Sequence, residues 1–308
     1  LEKIIPTIKE TFKIAKKKPE NIDLIAVTKG PGLLPSLLIG VNIARAFAYR
    51  FRKPIIGVNH IEGHIFSNWL TNKKIEFPAL ILVVSGGHTE LVLMKDYEKY
   101  KIIGQTLDDA AGEAFDKTAR LLGLGFPGGP AIAAAANKLQ ITNYSDKVES
   151  PRQGRDKLQI KLPRPMINSK DYNFSFSGLK TAVLYLYNDL IKKYPAKEIR
   201  PALAYEIQNA IVDVLTAKTV KAVKNLNPKT VMIAGGVSAN KALREKMAEE
   251  FESYKIPFLM PDIPYATDNA AMIAAAGYFN YFKNLSAQAG KPPKDSWKKV
   301  EADANLKL

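Results

Sequence analysis

Residues 22–28 form a short apolar run, Gly30-Pro31-Gly32 turns the chain, residues 36–51 carry helical spacing, and residues 55–58 form a second apolar run. This strand–turn–helix–strand order constrains the fold more than any other feature. Two strands joined through a helix run parallel, and the crossover helix must cover their sheet. Leu37, Gly40, Ile43, Ala44 and Phe47 share the inner side of that helix, and Pro54 breaks it. Upstream, Ile5, Ile8, Phe12 and Ala15 keep helical spacing with lysines opposite. The class is therefore α/β.

A new unit opens near Pro78. Residues 79–84 predict a strand, Ser85-Gly86-Gly87-His88 a tight turn, and residues 89–95 the returning strand of a hairpin. Residues 110–122 are helical, and a second helix starts at Ala131 after the turn-rich Gly125-Phe126-Pro127-Gly128-Gly129-Pro130. Residues 138–172 are polar and basic, with Arg152, Arg155, Lys157, Lys161, Arg164 and Lys170, and predict a long exposed loop or flap. Helices follow over 177–190 and 201–226. A strand over 230–234 leads through Gly235-Gly236 into another helix. A strand over 256–260, a closing helix over 268–282 and a polar tail complete the chain. No short-period repeat is present.

No run of about 18 apolar residues occurs, so no membrane-spanning helix is expected. The opening Leu1-Glu2-Lys3 leads into an amphipathic helix rather than a secretory signal. The absence of cysteine excludes disulfides and thiolate metal sites and is compatible with a reducing cytosol. The net charge of +15 fits a polyanionic partner such as nucleic acid, and equally a solvated basic surface. Lys16-Lys17-Lys18 fits the second reading, since cations suit a helix C-terminus.

Two of the three histidines fall in Asn59-His60-Ile61-Glu62-Gly63-His64. On a helix His60 and His64 share one face and could grip one cation. The pattern is not that of a zinc protease. Glu62 lies about 200° around the helix from His60 and points away from a metal held there. Asp268, at the mouth of the last helix, suits an N-cap and equally a carboxylate ligand. Two histidines and one carboxylate leave open positions on iron or zinc.

Ser85-Gly86-Gly87 and Gly235-Gly236 are turns whose bare N–H groups could cradle phosphate, although glycines serve any tight turn. Two such turns from successive units facing one cleft are the plan of an actin-like nucleotide-binding fold. Asp116 has the spacing of an ion pair with Arg120, and Glu113 of one with Lys117. His88 is compatible with a hairpin or a cleft position.

Taken in order, Gly30-Pro31-Gly32-Leu33, Asn59-His60-Ile61-Glu62-Gly63-His64, Val84-Ser85-Gly86-Gly87-His88-Thr89, Gly112-Glu113-Ala114-Phe115-Asp116-Lys117, Phe174-Ser175-Phe176-Ser177-Gly178-Leu179-Lys180, Gly235-Gly236-Val237-Ser238-Ala239-Asn240 and Thr267-Asp268-Asn269-Ala270-Ala271-Met272 span nearly the whole chain. This series resembles the tRNA N6-adenosine threonylcarbamoyltransferases, the TsaD (YgjD/Gcp) family, in its bacterial form. The resemblance implies a two-lobed actin-like (ASKHA, Hsp70- and sugar-kinase-like) fold. One lobe comprises residues 1–75 with 266–308 and carries the metal ligands. The other comprises residues 76–265 and carries a helical insertion and the adenylate-binding turns.

The reaction implied is transfer of a threonylcarbamoyl group from threonylcarbamoyl-AMP to N6 of the adenosine 3′ of a tRNA anticodon, in the cytoplasm. By the same resemblance His60, His64 and Asp268 bind one divalent metal, iron ahead of zinc. Val83, Val84, Ser85, Gly86, Gly87, Asp116, Gly129 and Asn240 line the adenylate site. Partners implied are tRNA, a TsaB-like paralogue and a TsaE-like ATPase.

The chain departs from the family pattern in two places. Family members open with a strand hairpin containing an Ile-Glu-Thr-Ser-Cys-Asp-like segment, and this sequence begins after it. The expectation is a first lobe short of its opening strands and a fragment that is not fully active. Pro35 stands where the family has a small residue, and it suits a first helical turn. A non-catalytic actin-like nucleotide-binding scaffold is the alternative from another class. A sugar or acetate kinase fits less well, because such enzymes hold Mg²⁺ through oxygen ligands.

Overall fold

The computed structural model describes residues 2–71, 74–97, 99–141, 160–287 and 296–308. Helix α1 (Ile4–Ala15), strand β1 (Ile25–Gly30), helix α2 (Leu34–Phe51), strand β2 (Ile55–Asn59) and helix α3 (His60–Phe66) come first. Strands β3 (Ala79–Val84), β4 (Thr89–Asp96) and β5 (Lys99–Gln105) follow. Next come helices α4 (Ala111–Leu122), α5 (Gly128–Ile141), α6 (Ser177–Leu190) and α7 (Ala196–Leu226). Strand β6 (Thr230–Ala234), helix α8 (Lys241–Ser253), strand β7 (Phe258–Leu259), helix α9 (Ile263–Ala266) and helix α10 (Ala270–Ala287) complete the order. The chain divides into two units: Leu1–Lys73 with Asp268–Leu308, and Lys74–Thr267.

In the first unit β1 and β2 pair in parallel, with Ile25 opposite Ile55 and Thr28 opposite Val58. Helix α2 makes the crossover, with Pro35 in its first turn, where a missing N–H costs nothing. Its Val41 and Ala48 pack with Ile55 and Val300. The tail is thus less detached than its polarity suggests. Trp297 and Ala302 also pack on this cluster, and the Trp297 carbonyl accepts a hydrogen bond from Arg45 Nε at 2.8 Å. Helix α10 lies close on β1 and α3 because glycines stand at the crossings. A Cβ on Gly277 would come within 2.5 Å of Ala26 Cβ, and one on Gly63 within 2.6 Å of Ile273 Cδ1.

The second unit is built on a sheet of order β5-β4-β3-β6-β7. The hairpin β3–β4 is antiparallel, whereas β3–β6 and β6–β7 are parallel. Leu80, Leu82, Val84 and Leu91 point from one face into a core shared with α4, α5, α7 and α8. Because β3 and β6 are parallel neighbours, the turns that leave their C-terminal ends lie side by side. In sheets of this kind ligands bind at those ends.

Local differences from the sequence reading have identifiable causes. Strand β5 was not expected: Lys99 and Lys101 make an edge strand look like a loop, which is how edges avoid unwanted pairing. Helix α7 starts at Ala196 rather than Pro201, so Pro201 lies inside the helix. Strand β7 shrinks to two residues. Of the expected basic flap, residues 142–159 lie outside the described residues. Residues 138–141 belong to α5, and the segment from 160 is anchored: Leu162 is buried, and Arg164 pairs with Glu206 and Asp213. Among the described residues no helix is long and apolar enough to cross a membrane.

Candidate functional site

Helix α3 begins where Asn59 Oδ1 accepts hydrogen bonds from the Ile61 and Glu62 N–H groups, at 2.8 and 3.4 Å. That cap starts the helix at His60, so His60 and His64 stand one turn apart. Their ring centroids are 4.7 Å apart with planes inclined at 74°. Asp268 Oδ1 lies 3.5 Å from His60 Nε2 and 3.2 Å from His64 Nε2. One ligand atom from each of the three falls within 4.8 Å of the others.

Both alternatives for Asp268 are answered by its neighbour. The Met272 N–H donates to Asn269 Oδ1 at 2.8 Å, so Asn269 caps α10 and Asp268 is left to face the imidazoles. Glu62 is buried and accepts a hydrogen bond from Asn280 Nδ2 at 2.8 Å, which ties α3 to α10.

The donor set suits a cation. His64 is fully buried, yet neither ring nitrogen has a hydrogen-bond partner. Asp268 Oδ1 is near Nε2 but is not aligned with it for a hydrogen bond. A buried imidazole left so costs free energy unless something else meets its lone pair. The adjacent His64 has the largest influence on the Asp268 carboxyl and holds it below its ordinary pKa; burial opposes, and charge on His60 and His64 adds to the lowering. Two nitrogens and a carboxylate oxygen form a cluster able to coordinate a divalent metal.

In the second unit Val83 and Val84 are wholly buried at the end of β3, so their side chains belong to the core. The turn beyond them is closed by Ser85 N–H donating to the His88 carbonyl at 2.8 Å, and His88 N–H to Ser85 Oγ at 3.1 Å. Gly86 and Gly87 are exposed, and a Cβ on either would meet nothing within 4 Å. Packing therefore does not demand glycine there. Gly235 is different. Its φ is +89°, and a Cβ would come within 2.4 Å of the Val84 carbonyl oxygen. Gly112, in the first turn of α4, would place a Cβ 2.5 Å from the Ser85 carbonyl oxygen. The two glycine turns and the start of α4 thus adjoin.

Asp116 lies one turn further along α4. It does not make the expected pair with Arg120; its Oδ1 accepts the Gly128 N–H at 2.6 Å at the start of α5, next to Gly129. The Glu113–Lys117 pair is present at 2.8 Å. Asn240 caps α8 by accepting the Leu243 N–H at 3.0 Å and donates to Gln208 at 3.0 Å.

Two further residues shape this region and were not singled out from sequence. Arg244 donates to the carbonyls of Ser238 and Pro261, both at 2.6 Å, and so clamps the turn after Gly235. Asp108 accepts from the Ser175 and Ser177 hydroxyls at 2.6 and 2.7 Å and from the Phe176 N–H at 2.8 Å. Burial raises its pKa, but these hydrogen bonds outweigh burial and hold the carboxyl below its ordinary value. The alternating serines of Phe-Ser-Phe-Ser asked for an acceptor, but spacing could not say which.

The family model described as TsaD: tRNA N6-adenosine threonylcarbamoyltransferase matches residues 1–275. The tRNA N6-adenosine threonylcarbamoyltransferase of Thermosipho africanus (strain TCF52B) is 45% identical over 300 residues, 97% of this chain and 82% of that protein. The protein of the same description from Bacillus subtilis (strain 168) is 46% identical over 287 residues, 92% of this chain and 77% of that protein. Among solved structures, full-length HypF in its phosphate- and nucleotide-bound form has a TM-score of 0.59 at 13% identity, covering 93% of this chain and 50% of that one. That likeness concerns the fold alone. The architecture is α/β, two-lobed and of the actin-like (ASKHA) type. With both relatives matched across more than nine-tenths of its length, the chain belongs to the family of tRNA N6-adenosine threonylcarbamoyltransferases.

Proposed function

We propose that this chain forms threonylcarbamoyladenosine in tRNA, moving the threonylcarbamoyl group of threonylcarbamoyl-AMP to N6 of the adenosine 3′ of the anticodon. Family membership supports the reaction, and the observation that carries the site assignment is the buried His64, with Nδ1 bare of hydrogen bonds and Nε2 3.2 Å from Asp268 Oδ1. His60, His64 and Asp268 are the proposed holders of one divalent cation. Two imidazoles and one carboxylate suit Fe(II), with Zn(II) second. When bound, the cation supplies Lewis-acid charge for the carbonyl under attack.

The remaining roles fall to the chain. The Gly86 and Gly87 N–H groups receive the adenylate phosphate, which the missing side chains allow to approach closely. Gly129 and Asn240 line the same adenylate, with Val83, Val84 and Ser85 as its backbone floor. Asp116 holds the start of α5 in place for it. N6 of adenine is a weak nucleophile, so positioning the two substrates carries much of the rate. N6 forms the new C–N bond and gives up a proton to solvent, and AMP leaves with the electron pair of the broken bond between the carbonyl carbon and the phosphate oxygen.

Helix α1 buries no residue, and Ile5 and Ile14 on it are exposed, as are Leu34 and Leu38 on α2. This apolar surface supports docking of a TsaB-like paralogue, with a TsaE-like ATPase acting on the pair in the cytoplasm. The test is reconstitution with tRNA, threonine, bicarbonate, ATP, an adenylate-forming enzyme and the two partners. Mass spectrometry of digested tRNA should reveal threonylcarbamoyladenosine. Its absence, with a known family member active in parallel, would refute the assignment.

A further inference from the structure

A cleft of about 880 Å³ opens in the second unit between α7, α8 and the Arg164 segment. Its positive charge is only partly answered. Asp213 lies between Arg164, 2.9 Å away, and Lys246, and is neutralised by them. Lys221 Nζ donates to the carbonyls of Ser169 and Lys170 at 2.7 and 2.6 Å, which are neutral acceptors. Lys224 Nζ lies 5.7 Å from the centroid of the Tyr254 ring. Among the described residues no carboxylate pairs with Lys221 or Lys224.

The cleft wall also holds Thr216, 2% exposed, whose hydroxyl has no hydrogen-bond partner. A buried threonine on a helix ordinarily donates to a carbonyl one turn back. Thr219 on the same helix does so, to Leu215 at 2.8 Å. Lys224 lies in the last turn of α7, where it complements the helix dipole. That argument does not extend to Lys221, which lies further from the helix end. Glu250 on the opposite wall adds an acceptor.

Ammonium groups without a carboxylate partner, beside a carboxylate acceptor, call for a ligand that brings phosphates and hydroxyl donors together. RNA backbone does so, through its phosphodiesters and 2′-hydroxyls. A bare phosphate would leave Glu250 facing another anion. We propose that this cleft binds the backbone of the RNA substrate, with Lys221 and Lys224 on phosphates and Glu250 on ribose hydroxyls. This rests on the reading of tRNA as substrate.

The experiment measures binding of unmodified tRNA to the full chain by fluorescence anisotropy over a range of salt. It compares wild type, Lys224→Glu, Thr216→Val and the charge-matched control Lys241→Glu, whose side chain is exposed on α8. Lys224→Glu should weaken binding about tenfold or more and reduce the salt slope by about one. Thr216→Val, which alters a hydroxyl out of the ligand's reach, and Lys241→Glu should both track wild type. AMP binding and bound metal should be unchanged throughout. Full affinity in Lys224→Glu, or an equal loss in Lys241→Glu, would overturn the cleft assignment alone. So would loss of ATP or inorganic phosphate binding in Lys224→Glu with tRNA affinity intact, which marks a small-anion site. Wild-type protein that binds no tRNA would overturn the substrate reading as well.

Discussion

The proposed metal centre and the proposed adenylate cradle solve the problem of leaving room for a ligand in opposite ways. In the first unit the chain holds side chains back. His64 is buried with neither ring nitrogen in an aligned hydrogen bond, and Asn269 takes over helix capping so that Asp268 need not. In the second unit the side chains already have work within the fold. Asp116 holds the start of α5, and Asn240 caps α8 while donating to Gln208. What stays bare there is main chain, at Gly86 and Gly87. A cation needs specific donor atoms, whereas a phosphate needs open N–H groups and space. The two sites should therefore respond differently to substitution.

The largest expected effect is at His64. His64→Ala should reduce transfer by more than about 100-fold, since even an outer partner of a metal ligand is worth 10- to 100-fold. Metal content by plasma mass spectrometry should fall in step, and retention of wild-type metal would break the contrast. In the cradle the contrast lies between two glycines. Gly235→Ala must place a side chain at φ +89° against the Val84 carbonyl, so urea denaturation should show a loss of about 3 kcal/mol. Gly86→Ala should leave the unfolding midpoint in place while AMP affinity drops about tenfold, or about 1.4 kcal/mol. Unchanged AMP affinity would remove that turn from the site.

Smaller effects sharpen the comparison. Asn269→Ala should cost about 1 kcal/mol of stability through the lost cap. The smallest concerns Asp108, whose carboxyl titrates below its unfolded value of 3.8. The stability it contributes is fully present above that value and is lost as pH falls through the lower folded pKa. Asp108→Asn should therefore lower stability by less than about 1 kcal/mol at neutral pH and flatten the acid limb of the stability curve. An unaltered acid limb would show that the carboxyl is not held as described.

Much of the architecture is legible along the chain because it rests on local pattern. The hairpin around Ser85-Gly86-Gly87, helix α6 and strand β6 follow from periodicity and turn residues. The edge strand β5 hides behind its lysines, and Trp297 and Val300 sit in a tail whose charge conceals its packing. At the candidate metal centre the two histidines announce themselves by spacing. The approach of Asp268 does not, because it depends on Gly63 and Gly277 letting α10 settle against α3 and β1. Asp116 shows the same limit from the other side: Arg120 is the neighbour that helical spacing suggests, and tertiary structure supplies Gly128 instead.

The inward turn of Glu62 has a chemical consequence. Held by Asn280, it leaves α3 presenting imidazoles, and no carboxylate, to the candidate metal centre. A mixed anhydride such as an acyl-adenylate decays when a neighbouring base activates solvent against it. With that carboxylate turned into the packing, α3 adds no carboxylate base beside the candidate metal centre.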